Sequence, residues 1–524
     1  LKDNDLNAPT YGGGEAGEET RARGFLAYYE ICERILKKNW EVVKDPDGQI
    51  GPYARLGDQW VSFDDQAMIH HKSEYVLHNN LGGAMIWALD LDDFRNQCGC
   101  EKYPLLRTIN RVLRKYPGPG PDCSLDSKIA GSRDQGCTTA EAHSSDCSRY
   151  YACIDGKRVE RVCPSNLHFN AREQTCDIPS QADCHYSETG TNALETVATG
   201  SHPPQPSDAK VICYFTNWAW HRKGVGQFLP SHINPSLCTH VVYAFAVLDP
   251  KTLTVRSHDE WTDLDNDFYS QVTALKSHGV KVLLGLGGWN DSEGDKYSRL
   301  VNNPMARTRF VRHLSKFLHR YGFDGVDLDW EYPTCWQVNC NAGPESDKEG
   351  FTDLVAELSR ELKPRGLLLS AAVSPSRVVV DKAYDVETLS KHLDWLGLMA
   401  YDYHGFWDNR TGHVAPLYYN DGDTLPHFNT NFSVHYWLKA GAPREKLVLG
   451  MPLYGQTFTL ADSGDVRLGA PSAGPGEPGP HTGNAGALAF YEICDKVKHE
   501  KWTVERSPEG TIGAIAHRGD QWVG

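Results

Sequence analysis

No apolar run in the 524-residue chain reaches transmembrane length, so neither a membrane-spanning helix nor a membrane partner is expected. Basic residues are outnumbered: 53 Lys and Arg against 68 Asp and Glu leave a net charge of −15. That balance argues against nucleic acid, whose phosphates demand basic surface. No signal peptide opens the chain, which starts at Leu1 rather than Met and so reads as a piece of something longer. Paired Cys-x-x-Cys spacing is missing from the cysteine-rich stretch 123–185, which removes a zinc reading there. No metal and no other cofactor is expected.

Cysteine itself is not scarce. Fifteen residues, many of them clustered, point to an oxidising compartment and a secreted, extracellular protein. Three sequons, Asn290-Asp-Ser, Asn409-Arg-Thr and Asn431-Phe-Ser, matter only in that setting. The 14 Trp, 24 Tyr and 17 Phe would suit a neutral polysaccharide, because sugar faces stack on rings. They are equally ordinary core material.

The most informative run is Asp324-Gly-Val-Asp-Leu-Asp-Trp-Glu-Tyr-Pro333. Asp327, Asp329 and Glu331 alternate with Val326, Leu328 and Trp330, so in an extended strand the carboxylates share one face. Like charges that close cannot all stay ionised, and a raised pKa is what a general acid needs near neutrality. The competing readings are a solvated acidic strand edge and a hard-cation site. No further acidic cluster with ligand spacing supports the second.

This run resembles the catalytic signature of the family 18 glycoside hydrolases, the chitinases and their relatives. Companion motifs arrive in family order: Lys281-Val-Leu-Leu-Gly-Leu-Gly-Gly-Trp289, Met399-Ala-Tyr-Asp-Tyr-His-Gly405 and Gly450-Met-Pro-Leu-Tyr-Gly455. From Lys210 onward, strand-like runs alternate with helical ones, the pattern of a parallel α/β sheet. Seven strands are expected: 211–217, 240–246, 282–286, 325–331, 367–373, 396–401 and 447–453, with helices such as 305–320 and 349–362 between them. The resemblance implies an α/β fold, a (β/α)8 TIM barrel with a small α+β insertion domain and a small disulfide-rich β module. In such a barrel the site lies at the C-terminal strand ends.

An internal repeat sets the organisation. Residues 24–62 align without gaps on 486–524, at an offset of 462, with roughly half the positions identical, including Cys32 with Cys494 and Trp60 with Trp522. Residues 1–117 therefore read as the end of a preceding catalytic domain, with 82–90 as its eighth strand and 102–116 as its closing helix. Residues 123–185 form a second unit, 186–208 a Ser/Thr/Gly/Pro-rich linker, and 209–524 a barrel truncated within its own insertion. The whole resembles a fragment of a large multidomain arthropod chitinase. In a longer chain each barrel would close with its own strand; within 1–524 the spare strand 82–90 can fold back, the two copies of the insertion contending for one position.

In the second unit, Cys137, Cys147, Cys153, Cys163, Cys176 and Cys184 have gaps of 9, 5, 9, 12 and 7. So short a segment needs disulfides for its stability. The spacing resembles the peritrophin-A type of chitin-binding domain, with Tyr150, Tyr151 and Phe169 as candidate stacking rings. Phe169 could as well be core.

The mechanism implied is retaining, substrate-assisted hydrolysis of β-1,4-linked N-acetylglucosamine, in which the substrate's N-acetyl oxygen is the nucleophile. Glu331 would be acid and then base. Asp329 would hold the acetamido N–H, Asp327 would share its proton, and Tyr401 with Asp402 would orient the N-acetyl group. The implied groove walls are Tyr214, Phe245, Trp289, Met399, Trp407 and Tyr454, with Trp87 as the floor. Two departures stand out: Gln456 where many relatives have Arg, weakening a substrate contact, and Gly285 where Ser is frequent, a packing difference. The fold also implies that Cys213 neighbours Cys238, that Cys335 and Cys340 bracket a loop, and that Cys32 pairs with Cys98 or Cys100. The expected partners are chitin and chitooligosaccharides. The alternatives are a chitin-binding lectin and a structural cuticle or gut-lining protein.

Overall fold

The computed structural model describes residues 59–97, 99–114, 209–419, 425–462 and 469–489. It also describes shorter stretches, among them 22–38, 40–43, 53–56, 149–154, 157–162, 502–505, 515–518 and 521–523. The chain forms two units, Leu1–Asp126 with Pro203–Gly524, and Ser127–His202.

The first unit is built on a closed parallel barrel. Its strands in chain order are β1 (Gly83–Trp87), β2 (Lys210–Thr216), β3 (His240–Leu248), β4 (Lys281–Gly287), β5 (Gly325–Asp329), β6 (Leu368–Val373), β7 (Trp395–Leu398) and β8 (Leu447–Pro452). They pair in the order β2–β1–β8–β7–β6–β5–β4–β3, and β3 returns to β2. Most of these residues are fully buried, as expected of strands covered on both faces.

Closure depends on β1, the spare strand. Lys210 and Val448 lie on either side of Gly83, Val211 beside Ala84, and Pro452 beside Trp87. Gly83 makes this entry possible: its φ is +143°, and a Cβ there would lie 2.1 Å from the Lys210 carbonyl oxygen. Helix α1 (Gln66–His78), capped by the Asp65 side chain, fastens the same segment to the barrel. Lys72 Nζ reaches both Asp64 (2.5 Å) and the Ala415 carbonyl (2.7 Å), and the Tyr75 hydroxyl donates to Asn431 Oδ1 (2.8 Å). The closing helix α2 spans Pro104–Arg114, starting two residues later than the expected 102, and the expected last residues 115–116 lie outside the described residues.

The two copies of the repeat do converge on one place. Val61 and Val523, equivalent at the repeat offset, both pair with Thr457 of β9 (Tyr454–Leu460). Trp40 and its equivalent Trp502 are both buried.

Outer helices follow local rules. Helix α3 (Pro304–Tyr321) starts at Asn303, whose Oδ1 accepts from the Met305 and Ala306 N–H groups, with Pro304 in the first turn. It ends at Gly322 in the left-handed region. Helix α4 (Ser346–Leu362) packs on α3.

Two expected strands end two or three residues early, and both corrections bear on the site. β5 stops at Asp329 because the backbone beyond it leaves the ladder: Glu331 N–H donates to Ser292 Oγ (2.8 Å) and not to a neighbouring strand. β7 stops at Leu398 because the Ala400 and Tyr401 N–H groups turn back onto the Leu398 and Met399 carbonyls. Glu331 and Tyr401 therefore sit just past strand ends. Cys213 is bonded to Cys238, and Cys335 to Cys340. Cys32 and Cys100 are each disulfide-bonded. Cys98 and Cys494 lie outside the described residues.

Within the second unit, Arg149–Ile154 pairs antiparallel with Lys157–Val162, and His168–Asn170 with Thr175–Asp177. Tyr150 and Tyr151 are on the first of these strands and Phe169 on the third, paired with Cys176.

Candidate active site

Alternation along β5 sends Asp327 and Asp329 into the barrel, and both are buried. Leu328 and Trp330 go outward, where Trp330 stacks on Tyr297 and meets the edge of Phe351. The two aspartates have different neighbours. Asp327 accepts from the Tyr214 hydroxyl and the Ser370 hydroxyl, each at 2.5 Å. Burial raises its carboxyl, and the Ser370 and Tyr214 hydroxyls pull it back. Asp329 has no such donors: its oxygens are buried without a well-formed hydrogen bond. Burial first, then the charges of Asp327 and Glu331, push it well above the usual carboxylate range. Asp327 is thus the better placed to keep the charge of the pair, and Asp329 the proton.

Glu331 is half-buried at the mouth of the barrel. Desolvation, and then the Asp402 charge, push its carboxyl up to about 8. At neutral pH it is mostly protonated, the state a general acid starts from.

Asp402 opens to the groove in the left-handed region (φ 55°). Gln456 Nε2 donates to its Oδ1 at 2.7 Å. The Gln that departs from the family pattern is thus buried and turned to a protein partner. Tyr401 is buried, its ring edge-on to Tyr454 at 6.2 Å. Met399 is half-buried and packs against the core.

Trp87 lies at the centre of the aromatic floor. Its ring is 5.4 Å from Tyr214, 5.7 Å from Phe245 and 6.1 Å from Trp218. Tyr214 is 2% exposed, so it lies beneath the floor, while Phe245 is half-buried in it. Gly285 is matched to that ring: a Cβ there would lie 2.9 Å from Phe245 and 3.0 Å from the Tyr243 carbonyl. Trp289 and Trp407 are 47% and 54% exposed, standing as rims. Sequence reasoning missed Trp218, 38% exposed and stacked on Phe245. Its signal was an aromatic directly after a strand end, where barrel sites form. It also missed Ser370, a hydroxyl inside a strand of otherwise apolar residues.

The exposed sequon residues are Asn290 and Asn409; Asn431 is half-buried. Among the described residues, no group of three or more His, Cys, Asp or Glu side chains is arranged to hold a metal ion, and no helix is long and apolar enough to cross a membrane.

Residues 3–92 and 210–524 match the family described as Glycosyl hydrolases family 18, and residues 135–184 match the Chitin binding Peritrophin-A domain. Probable chitinase 10 of Drosophila melanogaster is 50% identical over 99% of this chain; the chain spans 24% of that relative's length. Chitotriosidase-1 of Mus musculus is 38% identical over 60% of this chain and 67% of its own. Among solved structures, catalytic domain 2 of the Ostrinia furnacalis Group II chitinase is 60% identical with a TM-score of 0.59, covering 60% of this chain and 82% of that one. Human YKL-39, described as a pseudo-chitinase with retained chitooligosaccharide binding, is 35% identical with a TM-score of 0.54, over 60% of this chain and 85% of its own. By its matched residues, its barrel and its relatives, the chain belongs to the glycosyl hydrolases of family 18.

Proposed function

We propose that the chain is a chitinase that hydrolyses β-1,4-N-acetylglucosamine linkages with retention, assisted by the substrate. The observation that carries this reading is a set of three carboxyls held in different states beside an aromatic floor. Glu331, protonated, gives its proton to the leaving glycosidic oxygen while the substrate's N-acetyl oxygen closes on the anomeric carbon. Asp329 takes the acetamido N–H, and its negative charge grows as Asp327 draws the shared proton. Tyr401 and Asp402 orient the N-acetyl group, which lowers the entropic part of the barrier. Glu331, now a carboxylate, then takes a proton from the water that opens the cyclic intermediate. A lectin reading needs the acid to be missing, and Glu331 is in place.

The test is release of a fluorophore from a labelled chitooligosaccharide, followed against pH. The acid must be protonated, so kcat/KM should fall as pH rises through about 8. Asp402→Asn removes the charge that helps raise Glu331 and should move that limb to lower pH. A limb that stays put in the variant would detach Asp402 from Glu331, and no hydrolysis at any pH would refute the reading.

The cysteine-rich unit, proposed to span 123–185, serves attachment to chitin in an extracellular setting. Its gain is one of effective concentration. Deleting 123–185 should leave cleavage of short soluble substrates nearly unchanged and weaken pull-down on insoluble chitin. Equal losses on both would tie the unit to catalysis.

A further inference from the structure

We propose that Gln337 is a positioning residue that sets Trp289 against Glu331, and thereby the register in which a long oligosaccharide is cut. The proposal rests on the hydrolase reading above. It starts from the loop 333–343, which leaves the barrel directly after Glu331. The Cys335–Cys340 disulfide closes this loop. Three of its non-glycine residues are left-handed: Thr334 (φ 61°), Gln337 (φ 44°) and Val338 (φ 69°). Such a backbone is uncommon for β-branched Thr and Val, and it persists only where the surroundings overdetermine it.

Asp347 supplies those surroundings. Asp347, fully buried, accepts from Thr334 N–H (3.2 Å) and Trp336 Nε1 (2.9 Å) within the loop. It also accepts from Ser298 Oγ (2.6 Å) and Asn302 Nδ2 (2.7 Å), which come from the stretch that follows Trp289. One carboxylate therefore anchors both segments. Gln337 then joins their ends. Its backbone N–H donates to the Glu331 carbonyl at 3.0 Å, and its side-chain amide donates to the Trp289 carbonyl at 3.2 Å. No substrate contact by Gln337 is invoked; it acts through the exposed Trp289 ring and the acid.

Gln337→Glu keeps the shape and removes the donor. Gln337→Asn keeps an amide that falls short of Trp289 and suits a left-handed backbone at least as well. On chitohexaose, both should raise KM about three- to tenfold, the range for one lost hydrogen bond, with kcat within about twofold. Both should also shift the product lengths. Adding either to Trp289→Ala should change little more, because the two act on one contact. A loss of kcat equal on short and long substrates, or full additivity with Trp289→Ala, would overturn the proposal. So would a lowered melting temperature with unchanged product lengths. Calorimetric binding of chitohexaose on a Glu331→Gln background reads the same contact without catalysis. If the wild type proves inactive but that affinity difference is present, the hydrolase reading fails and the positioning role stands.

Discussion

Glu331→Gln is expected to lower turnover by about 10²–10⁴-fold, the usual worth of one general acid–base group, while oligosaccharide binding survives. The loss should lie at or above the upper end, because the same carboxyl serves both steps of the proposed reaction. Gln keeps the size and hydrogen-bonding reach of the side chain, so the Trp87 floor, Asp402 and Tyr401 still meet the substrate. Calorimetry on the variant should find affinity near that of the wild type. Retention of most activity would defeat the mechanism outright. Loss of both binding and turnover, with a lowered melting temperature, would mean that the carboxyl supports the fold. The half-buried position of Glu331 and the separate anchor of its backbone N–H on Ser292 argue against that.

The second large effect concerns closure. A chain of residues 208–524 is expected to be unfolded or aggregated where 1–524 is folded, because without Gly83–Trp87 both β2 and β8 become open edges. Circular dichroism melts and limited proteolysis of the two chains check it. Two variants of the full chain separate closure from catalysis. Gly83→Val places a branched side chain at φ +143° against the Lys210 backbone and should destabilise the fold by more than about 1–3 kcal/mol, since a steric clash adds to the backbone strain. Trp87→Ala leaves the strand's hydrogen bonds intact but opens the floor, so it should reduce activity strongly with a smaller loss of stability. If 208–524 melts like 1–524, or Trp87→Ala leaves activity untouched, β1 does not have this role.

Family membership and barrel class were legible in the sequence, because the features that carry them are local. Period-two alternation at Asp327, Asp329 and Glu331 needs only that one strand be extended. The Asn303-Pro304 start and Gly322 stop of α3 are decided within a turn. Strand ends were less legible. Whether residue 331 stays in the ladder depends on Ser292, 39 positions away.

The protonation pattern came only with tertiary structure. Asp327 and Asp329 are two residues apart and alike in sequence. They differ because closing the barrel brings Tyr214, 113 positions away, and Ser370, 43 positions away, onto one of them and onto not the other. In sequence Gln456 shows only a departure from the family pattern; the fold adds its partner, Asp402, at 2.7 Å across 54 residues. The chain by itself thus determined which carboxyls share a face and what family of chemistry they suit. The closed barrel decided which of them is supplied with hydrogen-bond donors, because donors so distant in sequence converge only when the sheet meets itself.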